Sequence, residues 1–485
     1  VAGDESVFIN NGTSFGDIMG PDYSLYPQRA TDFQGAMMLT AIILAGGESS
    51  RLRPLGDKSL QRFMGQTLLA RHMLALHAAG VHAMVVVTNP RNDAAIRAEC
   101  VTLPTDLDVR FVAQPEPLGM GDAAMRALSA VPAETAIYLT QAHDLLDPAF
   151  HQNLVQQAAA QPETLLIAAK HVTDYFPGGY LIPVAPILTR EEPFAIMGIV
   201  EKPGAGRAPS EWVTLVAHVI PHAGELTAAL ATTQPGDSGD HYERALSSMM
   251  AAHTTLAIPH LAPTASLKYP WHMLDIMELL LHQLEGRQIH PSAQIAEGAS
   301  VRGNVIVAEN VRLFPGATIV GPAYVGPGTI LGNQALVRES IVGARCIVGF
   351  STEVARTWLG DDVWFHTNYV GDSVIDDNVS FGSGTVTGNL RLDEGVIAAR
   401  VKGERLSTGR TKLGQIIGSG TRVGINASLM PGVVIGRNAF VGPGVILNQD
   451  VPDGKRVTVK QELVWGENTT EPHAEDRAAF RSRLG

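Results

Sequence analysis

The sequence has only two cysteines, Cys100 and Cys346, in 485 residues, too few for a disulfide framework or a cysteine-ligated zinc ribbon. No apolar run approaches the roughly 20 residues that a spanning helix needs. Basic residues are outnumbered, 36 to 48, for a formal net charge of −12, so a sequence-independent grip on nucleic acid or on an anionic membrane is disfavoured. Basic sites must be local. Aromatics make up only 6%, and with 49 glycines they point to tight turns and small side chains. What is abundant is hydrophobic residues, at 45%, enough over this length for two or three cores of ordinary domain size. A cytoplasmic enzyme, with neither nucleic acid nor membrane as partner, is the expectation.

Residues 1–37 mix Gly, Asp, Asn and Ser with isolated aromatics and show no sustained apolar period. They lack the basic start and apolar core of a secretory signal, and are read as a disordered extension or a start assigned too early. Over 38–284 short apolar runs (TAIIL, MVVVT, VRFVA, AIYLT) alternate with amphipathic stretches, which predicts a parallel sheet with helices on both faces. Ligands of such sheets bind beyond the carboxyl ends of the strands. After Glu285 the pattern changes. Aliphatic residues recur every six positions from Ile289 to Val337, slip over 340–370, resume at Ile375 and Phe381, break at a polar loop and return from Ile417 to Leu447. A hexad with Gly, Asn and Asp at the turns is the signature of a parallel β-helix, here over 285–468, with a polar tail over 469–485. A short helical bridge near DIMELLLHQLEG joins the two units.

The segment LAGGESSRLRPLGDKSL places Gly46, Gly47, Arg51, Arg53 and Lys58 at the carboxyl end of the first strand. Glycines let main-chain N–H groups approach phosphates and a base, and Arg and Lys neutralise charge during phosphoryl chemistry. This loop, with QPEPLGMGDAA at 114–124, IVEKPG at 199–204 and YPWHMLD at 269–275, resembles the motifs of the sugar-1-phosphate nucleotidylyltransferases. The resemblance implies an α/β Rossmann-like nucleotidyltransferase domain that joins a nucleoside triphosphate to a sugar 1-phosphate and expels pyrophosphate. It implies that Gly46, Gly47 and Gln114 contact the base, that Arg51 and Lys58 act on the phosphates, and that Gly119, Glu201 and Lys202 face the sugar. Magnesium held by carboxylates would clamp the charge. Here the sequence departs from the family, because His143 and His272 occupy both acidic positions, with Asp144 one residue on. Magnesium prefers oxygen ligands and imidazole suits transition metals such as manganese or cobalt. Two readings stay open: a degenerate metal site at His143, Asp144 and His272 that binds nucleotide sugars without fast transfer, or Asp144 standing in for the missing ligand. Gln66 and Met120 are further departures, where the family carries Lys and Thr.

In the β-helix, FHTNYVGDSVIDDNVSFGSGTVTGNLR followed by VKGERLSTGRTKLGQIIG resembles the left-handed β-helix acetyltransferase half of the bifunctional glucosamine-1-phosphate acetyltransferase and UDP-N-acetylglucosamine pyrophosphorylase family, in its archaeal-type form. An amino sugar is mostly ammonium at neutral pH, and histidine is the natural general base. The resemblance therefore gives His366 that role, Tyr369 and Asn389 the positioning of sugar and acetyl group, and main-chain N–H groups around Ser383 and Gly384 the developing oxyanion of acetyl-CoA. Arg338 and Lys402 would hold the sugar phosphate, and Arg410 and Lys412 coenzyme A. Departures are mild: Ser380 replaces Asn, and Ala355 followed by Arg356 replaces a lysine. The relatives are trimers, so a homotrimer is expected. Three functions remain in play: a bifunctional enzyme making a UDP- or dTDP-sugar, an acetyltransferase with a non-catalytic nucleotide-sugar domain, and a regulatory paralogue.

Overall fold

The computed structural model describes residues 39–234, 239–470 and 474–484; the extension expected over 1–37 lies outside the described residues. The first unit is built on a nine-stranded sheet. Strand Leu39–Leu44 lies third from one edge, paired in parallel with Ala83–Thr88 on one side and Ala136–Gln141 on the other. The chain runs outward through Ala83–Thr88 to Asp108–Ala113 and then returns to the far side of the first strand. That reversal opens a crevice past Leu44 and Gln141, where the glycine-rich loop and His143 lie.

The sheet is mixed rather than parallel throughout. Trp212–Ile220 runs antiparallel between Ala136–Gln141 and Leu165–His171, and Phe194–Glu201 is antiparallel to Gly179–Pro183. No helix separates these strands between residues 171 and 212, and a parallel return needs a crossover of that kind. Both faces are covered. Ile43 and Val86 pack on helix Leu68–Ala78, whereas Ile42 and Val85 pack on helices Met120–Leu128, Ala223–Thr232 and His241–Met250.

The second unit is the left-handed parallel β-helix that the hexads imply, with two faces of eight strands and a third split into four and four. Its hexad residues stack into one continuous core, from Val301 to Val451. Partners on one face lie 18 residues apart in the first coils (Arg287 with Val305, Val305 with Ala323), then 17 (Tyr324 with Ile341) and 16 (Trp358 with Val374). These shortened coils are the register slip seen over 340–370. The next partner of Val374 is Ile416, 42 residues on, because the chain leaves the coil to form the hairpin Ala398–Val401 with Glu404–Ser407.

The units share a core rather than merely a linker. Leu52, Leu55 and Phe63 from the glycine-loop segment, Met273 and Leu280 from helix His272–Leu281, and Tyr324, Ile341 and Trp358 from the β-helix form one buried cluster. Trp358 Nε1 donates to the Arg62 carbonyl at 2.9 Å, and Arg437 reaches the Pro54 and Leu55 carbonyls. The nucleotide loop is thus braced from behind by the β-helix. In the tail, helix Ala474–Leu484 leaves its described side chains exposed.

Two candidate active sites

At the first site the glycine loop is held open by side chains from neighbouring strands. Asn89 Nδ2 donates to the Gly46 carbonyl at 3.1 Å, and Asn92 Nδ2 to that of Ala45 at 2.9 Å. Buried Gln114 lies against Gly46, where a Cβ would come within 2.9 Å of its Oε1. Its Nε2 donates to the Gly119 carbonyl at 3.0 Å and to Asp122 at 2.9 Å. Gly119 has φ +92° and starts the helix Met120–Leu128, so a side chain there would strain the turn. Gly46, Gly47, Gln114 and Gly119 therefore lie together. Exposed Arg51 lies over the Tyr269 ring, at 5.9 Å from its centroid. Glu201 and Lys202 pair with each other, and Glu243, which no motif marks, lies close enough to feel both charges. Burial pushes its carboxyl up to about 7, with Glu201 adding to the rise.

Lys58 and His143 meet directly. The ammonium lies 3.0 Å from His143 Nε2; His143 is 5% exposed, and burial with the Lys58 charge holds it neutral, so Lys58 donates to its lone pair. His143 Nδ1 is buried with no partner. Burial brings the Lys58 ammonium down to about 8, against the pull of Asp144 and Asp57. His272 Nδ1 contacts the Ser266 carbonyl at 2.9 Å, on the short strand Ala265–Ser266 that pairs with Asp144–Leu145. The three residues of the expected metal site are therefore neighbours, but His143 Nε2 is taken by Lys58 and His272 Nδ1 by the Ser266 carbonyl, and Asp144 Oδ1 lies 3.9 Å from His143 Nε2. Among the described residues they do not form a converging set of metal donors. One carboxylate beside a lysine-bound imidazole does not fit magnesium.

At the second site His366 stands exposed on a coil turn whose backbone is pinned. Its N–H donates to Asn368 Oδ1 at 2.9 Å and its carbonyl accepts from Thr352 Oγ1 at 3.1 Å. Asn368 Nδ2 in turn donates to the Gly382 and Thr385 carbonyls, both at 2.9 Å. Asn389 Nδ2 donates to Tyr369 Oη at 3.2 Å and to Asp372, and Arg356 grips Asp372 through two bonds of 2.7 and 2.8 Å. His366, Tyr369 and Asn389 thus come from adjacent coil turns, with Tyr369 and Asn389 directly bonded. Arg338 pairs with Glu353 at 2.7 Å.

Residues 41–259 match the MobA-like NTP transferase domain, 285–375 the GMPPB C-terminal domain, and 416–449 the bacterial transferase hexapeptide (six repeats). A bifunctional sugar-1-phosphate nucleotidylyltransferase/acetyltransferase from Sulfurisphaera tokodaii is 35% identical over 182 residues. Over part of its length the chain is similar to a bifunctional sugar-1-phosphate nucleotidylyltransferase/acetyltransferase. That alignment covers 34% of this chain and 41% of the Sulfurisphaera protein, less than half its length. The bifunctional protein GlmU from an Acidovorax strain is 23% identical over 64% of this chain and 67% of its own. Glucose-1-phosphate thymidylyltransferase from Streptomyces antibioticus is likewise 23% identical, over 64% of this chain and 83% of its own.

Two residues expected to meet acetyl-CoA are engaged within the protein itself. The Gly384 N–H donates to the Thr367 carbonyl at 2.9 Å, so it is not available to a thioester oxygen; Ser383 remains exposed beside it. The Arg410 guanidinium is bonded to Asp275 and to Glu278 of helix His272–Leu281 rather than left free. The basic loop folds back as a hairpin whose Ile397, Ala399 and Val401 join the interdomain core, which leaves Lys402 and Lys412 exposed. Arg410→Ala should therefore leave the KM for acetyl-CoA within about twofold, since a lost coenzyme contact of charged type would cost roughly tenfold or more. Steady-state kinetics at varied acetyl-CoA decides this, and a tenfold rise would return Arg410 to the coenzyme. Asn89, Asn92, Glu243, Asp372 and Lys268, whose charge also acts on His143, were not legible as site residues. Only TNPRND, a polar cluster closing a strand, hinted at the first two.

Proposed function

We propose that the β-helix unit transfers the acetyl group of acetyl-CoA to the amine of an aminohexose 1-phosphate of the glucosamine type, and that the first unit binds a nucleoside triphosphate or UDP- or dTDP-sugar with impaired nucleotidyl transfer. The observation that carries the reading is exposed His366 on a pinned turn, three residues before Tyr369 of the bonded Tyr369–Asn389 pair. His366 takes a proton from the substrate ammonium, and the freed amine attacks the thioester carbonyl. The tetrahedral intermediate loses its remaining extra amine proton to solvent and collapses with cleavage of the carbon–sulfur bond, and the protonated imidazole returns its proton to the departing coenzyme A sulfur, leaving a neutral amide and a thiol. Tyr369 and Asn389 orient the sugar and the acetyl group, while exposed Lys402 and Lys412 supply positive charge for phosphates. Arg51 and Lys58 hold the triphosphate in the first unit. Cytoplasmic location and a homotrimer accord with this chemistry; among the described residues no helix is long and apolar enough to cross a membrane.

The reading in which the first unit only binds a nucleotide sugar is favoured by the Lys58–His143 contact, which fills the place of a metal-binding carboxylate. The test is one purified-protein assay with thiol release from acetyl-CoA and glucosamine 1-phosphate, and pyrophosphate release from UTP or dTTP, measured separately. Thiol release with little pyrophosphate is expected. Pyrophosphate without thiol release would reverse the assignment, and neither signal would leave a regulatory paralogue.

A further inference from the structure

We propose that His77, His82 and Asp106 form a binding site for a zinc-class divalent cation, separate from both candidate active sites. His77 lies in the last turn of the helix Leu68–Ala78, His82 immediately precedes the strand Ala83–Thr88, and Asp106 precedes the strand Asp108–Ala113. Two imidazoles converge on a single carboxylate oxygen. His77 Nε2 lies 2.9 Å and His82 Nδ1 3.4 Å from Asp106 Oδ2, and all three donor atoms fall within 4.8 Å of one another. The rings stand at 84° with centroids 4.9 Å apart, so both nitrogens address the same point without the rings colliding. With metal–ligand bonds of about 2.0–2.2 Å, neighbouring donors of a tetrahedral zinc lie roughly 3.3–3.5 Å apart, within a few tenths of an ångström of the two spacings to Asp106 Oδ2.

Donor type selects the metal. Two neutral imidazoles with one carboxylate suit zinc and its transition-metal neighbours, whereas magnesium and calcium ask for oxygen ligands. The scaffold is firm: the turn between the two histidines is closed by Val81 N–H donating to the Leu76 carbonyl at 3.0 Å, and Asp108 N–H donates to the His82 carbonyl at 2.9 Å. Side-chain exposures of 20%, 54% and 49% for His77, His82 and Asp106 leave room for a solvent ligand in the fourth position. The cluster sits at the amino ends of the parallel strands, whereas the nucleotide crevice lies past their carboxyl ends. A bound cation would therefore staple a helix end to two strands without touching substrate.

The test uses the full chain, stripped with a chelator and titrated with Zn²⁺ against a competing chromophoric chelator. One zinc per chain at micromolar affinity or tighter is expected, not displaced by millimolar Mg²⁺. His82→Ala, at the most exposed ligand, should weaken that binding by about tenfold or more, and His77→Ala with His82→Ala should abolish it. The stripped wild type should gain several degrees in Tm with excess zinc, and the double variant none, while acetyl transfer is unchanged in both. The proposal is overturned if no zinc binds at that affinity, if the double variant binds as the wild type does, or if magnesium competes at similar concentration. The first outcome would leave Asp106 as an ion-pair partner of the two histidines and nothing more.

Discussion

His366→Ala should lower acetyl transfer by about 10²–10⁴-fold, the range for a lost general base, with the melting temperature almost unchanged. The ammonium of an amino sugar has no lone pair, so the step cannot begin until a base removes a proton. The exposed imidazole of His366 is placed for that by groups other than itself, since its backbone is tied to Asn368 Oδ1 and Thr352 Oγ1. Removing the side chain leaves those bonds and the coil core of Phe365 and Phe381 in place, and an exposed substitution of this kind changes stability by about 0.5 kcal/mol or less. Thiol release at saturating acetyl-CoA and glucosamine 1-phosphate, with a parallel thermal melt, separates the two effects. Unchanged release beside an active wild type would take His366 out of the mechanism. Loss of release with a collapsed melt would assign it to structure instead.

Both folds were legible because each repeats a local rule. Strand and helix alternation is written in runs such as TAIIL and MVVVT, and the regular coils of the β-helix place an aliphatic residue at the same step, from Val301 to Val337 and again from Ile417 to Leu447. The hexad even registered its own interruption: coils of 17 and 16 residues cannot keep a six-residue period. What stayed hidden is encoded by contacts distant in sequence. Arg410 meets Asp275 and Glu278 more than 130 residues earlier, and nothing in VKGERLSTGRTKLG distinguishes a phosphate-binding arginine from one that clamps two domains. Glu243 is unmarked for the same reason, since its raised carboxyl comes from burial beside Glu201. The antiparallel Trp212–Ile220 reads locally as any buried strand does. Motif order picked out candidate residues, but which cations are already spent on the protein's own carboxylates and carbonyls is a property of the fold.

His143→Asp combined with His272→Asp should raise magnesium-dependent pyrophosphate release by about ten- to a hundredfold over a weak wild type, since a metal clamp contributes several kcal/mol of charge stabilisation. In the wild type the crevice holds Lys58, Lys268 and Arg51 against Asp57 and Asp144, and burial already raises the Asp144 carboxyl. Magnesium would have to bind beside a neutral imidazole whose Nε2 accepts from Lys58, a poor exchange for its hydration shell. The double variant supplies two carboxylates at the positions where the resembling enzymes carry them. It also places a negative charge against Lys58, so that ammonium should rise from about 8 and remain charged to higher pH. His272→Asp alone separates the two effects, because it adds a carboxylate without touching Lys58. That single variant should gain less than the pair, and melts of both must stay near the wild type for the comparison to hold. A vigorous wild-type rate with magnesium and a slower double variant would sink the idea. Asp144, or an imidazole-compatible manganese or cobalt ion, would then already serve this site, and the lysine contact at His143 would have to open when the triphosphate binds.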